Sequence, residues 1–121
     1  MSHAERWSDR VRRYYQLVDE GDVPGLLQLF SPDVVYERPG YEPIRGRAAL
    51  EDFYRDVRVI VSGRHSLRSL VCADEEVAVQ GDFAGVLRDG DNVRLRFADF
   101  FQVTADGLFS RRNTYFFQPL V

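Results

Sequence analysis

The stretch from Leu95 to Val103 constrains the fold of this chain most, because its residues alternate as in a half-buried β-strand. Side chains of a strand point to opposite faces in turn, so the more apolar face also carries one carboxylate: Leu95, Phe97, Asp99, Phe101 and Val103. A carboxylate on such a face is costly unless it is protonated, paired or beside a cavity. Asp99 is therefore either a buried, hydrogen-bonded structural residue or a pocket residue with a chemical role.

Turn signals divide the second half of the chain into strand-forming segments at 65–73, 77–87, 93–104 and 108–118. The clearest signal is Asp89-Gly90, which supplies the positive φ angles of a tight hairpin. The first half predicts helices at 4–20, 23–30 and 47–61, with a short strand at 34–38. This order, α-α-β-α-β-β-β-β, predicts a single α+β domain over residues 1–121. We expect a curved, mainly antiparallel sheet to wrap over three helices and to leave a cone with a cavity at its open end.

The helix at 4–20 has one apolar stripe, in which Trp7, Val11, Tyr14 and Val18 follow the spacing of an amphipathic helix. Gly21 is typical of the left-handed residue just past a helix end. Tyr14 on this stripe is either a core residue whose hydroxyl finds one partner or a hydrogen-bond donor in a pocket.

Composition excludes several classes of protein. All 16 basic residues are Arg and they are outnumbered by 19 Asp and Glu, so the net charge of −3 offers no general attraction for nucleic acid. The single cysteine, Cys72, excludes an intrachain disulfide. No apolar run approaches the length of a membrane span, and the N-terminus lacks the apolar core of a signal peptide. We therefore expect a cytoplasmic protein that binds neither membranes nor nucleic acid.

Several polar residues fall where strands border the predicted cone. Arg38 shares a strand face with Tyr36 and precedes a Pro-Gly turn, so we expect its guanidinium at the rim of the cone. There it would select a carboxylate, phosphate or enolate oxygen. Further candidates for ligand contacts are His65, Asp82 and Arg112. The aromatic side chains expected to line the cone with them are Phe30, Phe53, Tyr54, Phe97 and Phe116.

The sequence contains no pattern typical of a metal or cofactor site. His65 is far along the chain from the other histidine, His3, and no His, Asp or Glu spacing matches that of a metal centre. A Gly-rich phosphate loop and a Ser nucleophile elbow are missing as well. We therefore expect neither a metal nor a cofactor.

Apolar residues lie on both faces of the segments at 77–87 and 108–118, although a chain of this length cannot cover both faces of its sheet. An apolar outer face in a short chain favours a second copy as its cover. We therefore predict a homodimer through the outer face of the sheet, with Tyr115 and Phe117 in the interface.

Several short segments, in this order and spacing, carry a resemblance that covers nearly the whole chain: RYY (13–15), EGDVPGL (20–26), LFSPD (29–33), ERPG (37–40), GRAAL (46–50), FY (53–54), ADFF (98–101) and DG (106–107). With the element order, they resemble the nuclear transport factor 2-like superfamily, and in detail its ketosteroid isomerase and SnoaL-like polyketide cyclase branch. The resemblance implies a cone-shaped fold and a small hydrophobic ligand with a carbonyl or acidic group.

The resemblance also implies roles for individual residues. Ketosteroid isomerases combine an Asp general base with an oxyanion hole made of a Tyr and a protonated Asp. The oxyanion-hole positions are similar to Tyr14 and Asp99, whereas the base position corresponds to Arg38, which cannot shuttle a proton at neutral pH. His65 or Asp82 would then carry the proton. Limonene epoxide hydrolases, which are relatives, use an Asp-Arg-Asp cluster that Asp82, Asp99, Arg38 and Arg112 resemble in residue type.

These observations leave three hypotheses for function. The first is an isomerase or cyclase in which Tyr14 and Asp99 donate hydrogen bonds to an enolate oxygen while Arg38 holds an acidic or carbonyl group. The second is a binding protein with the same cone and no turnover. The third is a dimerisation module whose cone is filled by side chains. Because this fold carries many unrelated functions, the fold alone does not choose among them.

Overall fold

A computed structural model describes residues 2–117, and within that range the chain forms three α-helices and six β-strands. The helices are α1 (His3–Glu20), α2 (Val23–Leu27) and α3 (Arg47–Asp52), and α3 continues into one π-helical segment, Phe53–Val57. The strands are β1 (Phe30–Glu37), β2 (Ile44–Arg45), β3 (Ile60–Ala73), β4 (Glu76–Leu87), β5 (Asn92–Val103) and β6 (Phe109–Phe116). The predicted α+β class and order of elements are confirmed, with β2 as an additional short strand.

The strands of residues 2–117 form one sheet in the order β2-β1-β6-β5-β4-β3. Neighbouring strands from β3 to β6 pair antiparallel, as the predicted meander requires, whereas β1 pairs parallel with β6. The sheet curves around the helices, so residues on its inner face form the core together with α1. Side chains from β1, β3 and β6 line one cavity on this inner face.

Helix α1 ends where the sequence predicts and begins one residue earlier than predicted, at His3. The Ser2 hydroxyl accepts a hydrogen bond from the backbone N–H of Glu5 at 3.1 Å, which satisfies one of the free donors of the first turn. Gly21, with φ of 74°, ends the helix in the left-handed conformation. The predicted apolar stripe is buried, and Tyr14 on it is only 1% exposed.

The alternation in β5 is confirmed as well. The inner face of this strand is buried over Phe97, Asp99, Phe101 and Val103, while Phe100 on the outer face is 40% exposed. The hairpin between β4 and β5 turns through Gly90, whose φ is 91°. A carboxylate therefore lies inside the core, and its partners must be found there.

Two helix boundaries predicted from the sequence are wrong. Helix α2 ends at Leu27 instead of continuing to Phe30, because Phe30 already pairs with Phe109 of β6. The third helix was expected to reach Val61, but the helical segment ends at Val57 and β3 begins at Ile60. The β-branched run at 57–61 favours an extended backbone, and pairing with β4 stabilises it.

No helix within residues 2–117 is both long enough and apolar enough to cross a membrane.

Candidate functional site

A cavity of about 30 Å³ lies between α1 and the inner face of the sheet. Its walls come from α1, from the π-helical segment and from strands β1, β3, β4, β5 and β6. The predicted site residues that line it are Tyr14, Arg38, Tyr54, His65, Phe97, Arg112 and Phe116. A volume of this size holds roughly one or two water molecules, so a larger ligand has to displace side chains at the cavity mouth.

Asp99 lies behind the cavity wall, and its side chain is 0% exposed. Its carboxylate accepts a hydrogen bond from Arg112 Nη2 at 2.8 Å, and the hydroxyls of Tyr15 and Thr114 donate to it as well. Because an arginine in a protein stays protonated, these contacts are those of an ionised acceptor. Asp99 is thus the buried counter-ion of Arg112, and the structure does not present it as the neutral donor at the cavity that the resemblance implies.

Arg112 connects Asp99 to two tyrosine hydroxyls at the cavity. Its Nη1 donates to the hydroxyl of Tyr54 at 3.1 Å and also to that of Tyr14, and these two hydroxyls hydrogen-bond to each other. Burial raises the pKa of Tyr14 well above its ordinary value and also raises the pKa of Tyr54, although Arg112 opposes both shifts. Both phenols therefore stay neutral. One hydroxyl proton lies between them, and the other remains available to a ligand.

His65 lies on another wall of the cavity and is held by the carboxylate of Asp19. Its Nδ1 is 2.6 Å from Asp19 Oδ1, and its backbone N–H donates to Asp19 Oδ2 at 2.9 Å. Since a carboxylate only accepts, Nδ1 carries the proton and Nε2 has a free lone pair. No group within residues 2–117 hydrogen-bonds to Nε2. Burial lowers the pKa of His65, and the contact with Asp19 opposes this shift only in part.

Two further arginines, Arg38 and Arg58, line the same cavity. The Arg38 guanidinium lies among three rings, 5.4 Å from those of Tyr41 and Phe53 and 5.5 Å from that of Phe116. Arg58 lies 5.7 Å from the centre of the Tyr54 ring. Within residues 2–117, neither arginine is within 4.0 Å of a carboxylate oxygen. The cavity therefore carries more positive than negative charge.

Besides Asp99, three predicted site residues do not line the cavity: Asp82, Phe30 and Phe53. Asp82 points to the outer face of β4 and accepts a hydrogen bond from Arg68 Nε at 2.5 Å, because the more apolar face of that strand packs against the helices. Phe30 is fully buried and supports the Tyr14 ring at a centroid distance of 5.5 Å. Phe53 is 2% exposed and contacts Arg38 from the core side.

Sequence reasoning missed Asp19 and Arg58. Asp19 is not part of the apolar stripe of α1, yet it follows Tyr15 by four residues and so lies on the same side of the helix as that buried ring. The spacing of four residues between Tyr15 and Asp19 therefore indicates in the sequence that Asp19 faces the same neighbours as Tyr15. Arg58 was placed inside a helix, and only the early end of the π-helical segment at Val57 brings its side chain to the cavity.

Among the residues that the structure describes, no three His, Cys, Asp or Glu side chains gather as metal ligands.

Several solved structures share the fold of this chain. An NTF2-like protein of unknown function from Burkholderia pseudomallei superposes with a TM-score of 0.85 at 22% identity, over 97% of this chain and 92% of that one. SalBIII is an epoxide hydrolase/cyclase-like enzyme with a role in pyran ring formation in the polyether salinomycin. Its structure superposes with a TM-score of 0.85 at 20% identity, over 98% of this chain and 95% of that one. The structure of a candidate polyketide cyclase from Xanthomonas campestris superposes with a TM-score of 0.78 at 25% identity. The match covers 94% of this chain and 92% of that one.

One enzyme of named activity is similar over a shorter stretch. The steroid Δ-isomerase of Nocardioides simplex is 42% identical over 45 residues, which is 36% of this chain and 37% of that enzyme. The model of the SnoaL-like domain matches residues 11–112, a range that contains Tyr14, Asp19, Arg38, Tyr54, His65, Asp99 and Arg112. The superfamily resemblance read from the sequence is therefore confirmed, and this chain belongs to the SnoaL-like domain family.

Proposed function

We propose that this protein is an enzyme that transfers a proton on a small carbonyl compound, as an isomerase or a cyclase, with His65 as its general base. One observation carries the proposal. His65 has a free Nε2 and an Nδ1 fixed by Asp19, and it lines the same cavity as the hydroxyl pair of Tyr14 and Tyr54. An oriented base and hydrogen-bond donors around one small space are the two parts that enolisation requires.

In this proposal His65 Nε2 removes a proton from the carbon next to the substrate carbonyl. The electron pair moves onto the carbonyl oxygen, where the free hydroxyl proton of the Tyr14–Tyr54 pair and the nearby charge of Arg112 stabilise the enolate. Return of the proton from His65 to another carbon completes an isomerisation. Attack of the enolate carbon on a second carbonyl, with the proton delivered to the new alkoxide, completes a cyclisation.

The proposal reassigns two residues of the family pattern. Arg38 occupies the position of the usual Asp base, so the base function moves from the end of β1 to His65 on β3. Asp99 contributes by holding Arg112, and the donors to the enolate oxygen are the tyrosine hydroxyls. The names of two similar proteins, a steroid Δ-isomerase and a candidate polyketide cyclase, support enolate chemistry as the reaction class.

The test is proton exchange at the carbon next to a ketone, followed by NMR in D₂O with a panel that includes 4-oxo-4-phenylbutanoate. Isomerisation of 5-androstene-3,17-dione, followed by absorbance of the conjugated product, is the parallel assay. His65→Gln should slow exchange roughly 10²- to 10⁴-fold, and Tyr54→Phe roughly 10²- to 10³-fold. Asp82→Asn is the matched control, because Asp82 lies on the outer face, and it should leave the rate unchanged. An unchanged rate in His65→Gln would refute the assignment of the base.

A second candidate function is ligand binding without turnover, and the two cavity arginines that have no carboxylate partner within residues 2–117, Arg38 and Arg58, support it. Tight binding of a ketone with no proton exchange after long incubation would support this alternative and exclude the enzyme. A cone that admits no ligand at all would leave the third hypothesis, a dimerisation module.

We also propose that the partner of this chain is a second copy of itself. The outer face of the sheet exposes large apolar side chains at Val71, Phe100, Tyr115 and Phe117, and Phe117 is 70% exposed. These residues border one open apolar depression of about 560 Å³ on β3–β6. An exposed apolar patch on a small domain is typical of an interface.

A further inference from the structure

The charge lining the cavity is unbalanced. Arg38, Arg58 and Arg112 all contribute to its walls, and no Asp or Glu of the described residues does. Asp99 compensates Arg112 from behind, at 2.8 Å, but no carboxylate within residues 2–117 compensates Arg38 or Arg58. Since a buried or half-buried charge is costly without a partner, two unpaired guanidinium groups around one cavity favour an anionic ligand.

The Nε–H groups of Arg38 and Arg58 also lack hydrogen-bond acceptors within residues 2–117. The Nε atoms of Arg38 and Arg58 are both buried from solvent, and neither has a hydrogen-bond partner among the described residues. A buried N–H without an acceptor destabilises the fold, and the more so when it belongs to a charged group. The two side chains therefore present unused donors of the type that binds a carboxylate in a planar, bidentate manner.

The aromatic rings around Arg38 hold its guanidinium in one position. Tyr41, Phe53 and Phe116 surround its Cζ at 5.4–5.5 Å, and its only hydrogen bond within residues 2–117 is a long one, from Nη1 to the Tyr36 hydroxyl at 3.5 Å. Packing thus preorganises the cation, while few of its donors are used. A cation that is held in position while its donors are unused is typical of a group that binds an anionic acceptor.

A second space gives the rest of a ligand room. Arg38 and Thr114 line the inner cavity and also an outer groove of about 250 Å³, whose other walls include Pro39, Tyr41 and Pro43. The inner cavity is too small for a whole substrate, but an elongated molecule can occupy both spaces at once. Such a molecule would pass Arg38, which borders both.

We propose that the substrate is an elongated organic acid whose carboxylate is bound by Arg38 and Arg58. The position of its ketone beside Tyr14 and Tyr54 rests on the function proposed above, whereas the carboxylate site does not. The acid therefore binds even if His65 performs no chemistry.

The test compares two probes of equal shape, 4-oxo-4-phenylbutanoate and its neutral amide, 4-oxo-4-phenylbutanamide, by isothermal titration calorimetry. The acid should bind roughly 10- to 100-fold more tightly than the amide. Arg38→Gln with Arg58→Gln should reduce that preference to less than about threefold. Arg94→Gln is the matched control for the loss of an exposed positive charge, and it should keep the preference.

Two further variants keep the outcome clear. The double variant Arg38→Lys with Arg58→Lys retains both charges but loses the planar guanidinium groups, so its preference for the acid should be intermediate. This variant serves as the test if the double Gln variant does not fold. His65→Gln should retain the full preference for the acid, which separates failure of the binding proposal from failure of the catalytic one. Equal affinity for acid and amide, or no binding of the acid at millimolar concentration, would overturn the proposal. An unchanged preference in the double Gln variant would do the same.

Discussion

Nδ1 of His65 lies 2.6 Å from Oδ1 of Asp19, although the two residues are 46 positions apart in the chain. Asp19 also accepts the backbone N–H of His65, so one carboxylate fixes both the ring and the strand that carries it. The contact joins the last turn of α1 to the first half of β3. It decides the tautomer of the imidazole and leaves Nε2 as an acceptor.

Replacing Asp19 by Asn should reverse this tautomer. An Asn amide can accept the backbone N–H of His65 only if its NH₂ group then donates to Nδ1, which forces the ring proton onto Nε2. His65 would lose its lone pair at the cavity, and ketone proton exchange should fall roughly 10²- to 10⁴-fold with little change in the affinity for the acid probe. Glu20→Gln, one residue further along and exposed, is the control. Equal exchange rates in Asp19→Asn and wild type would contradict the orienting role.

The pH dependence of the rate follows from the lowered pKa of His65. Burial lowers this pKa below the ordinary value of 6.5, so the base is neutral and active at neutral pH. We expect a rate that is constant above about pH 6.5 and falls only at lower pH, as the ring becomes protonated. The pH–rate profile of ketone exchange measures this. A rate that already falls on lowering the pH from 8 to 7 would contradict it.

The same shift makes the stability of the fold depend on pH. The unfolded chain takes up a proton on His65 near pH 6.5, before the folded chain does, so lowering the pH stabilises the unfolded state. The stabilisation by neutral His65 is thus complete above about pH 6.5 and is lost as the pH falls toward the lower folded pKa. Urea unfolding of wild type and His65→Gln at a series of pH values should show a steeper loss in wild type. Parallel curves would contradict the prediction.

Removal of the Asp99 carboxylate should destabilise the fold strongly. Asp99→Leu leaves the Arg112 guanidinium buried and unpaired, which costs about 3–5 kcal/mol in the free energy of unfolding. The double variant Asp99→Leu with Arg112→Met removes both charges and should be more stable than Asp99→Leu alone. Asp82→Ala breaks the exposed pair with Arg68 on the same sheet and should cost no more than about 1 kcal/mol. Equal urea midpoints for Asp99→Leu and Asp82→Ala would show that the buried pair contributes no more than the exposed one.

The predicted homodimer is tested at the outer face of the sheet. Phe117→Ser and Tyr115→Ser remove exposed aromatic side chains, and together they should weaken dimerisation about tenfold or more in analytical ultracentrifugation. Val57→Ser is the control, because Val57 is also half-exposed but lies on the π-helical segment, away from this face. A dimer that persists unchanged in the double Ser variant would mean that copies associate through another surface.

The sequence by itself determined the fold class and the order of the main elements, but not all of their boundaries. The stripe of α1, the alternation in β5 and the turns between the strands depend on neighbours within a few residues, and each is present as predicted. The alternation of side chains between the two faces of a strand also predicted that Asp99 lies on the inner face of β5. The segments that resemble the superfamily sufficed to identify it, because they occur in the order and spacing of the whole fold.

The tertiary structure decided which charges meet. Asp99 reaches Arg112 because β5 and β6 pair with Asp99 opposite Thr114, and a shift of one residue in that register would turn one strand's side chains to the other face. Asp82 turned outward because the helices cover the opposite face of β4. Arg58 entered the cavity because a helix ended early, and Asp19 met His65 because α1 crosses β3. Periodicity determines which face of an element a side chain occupies. The partner of a charge depends on how distant elements pack, which local sequence does not encode.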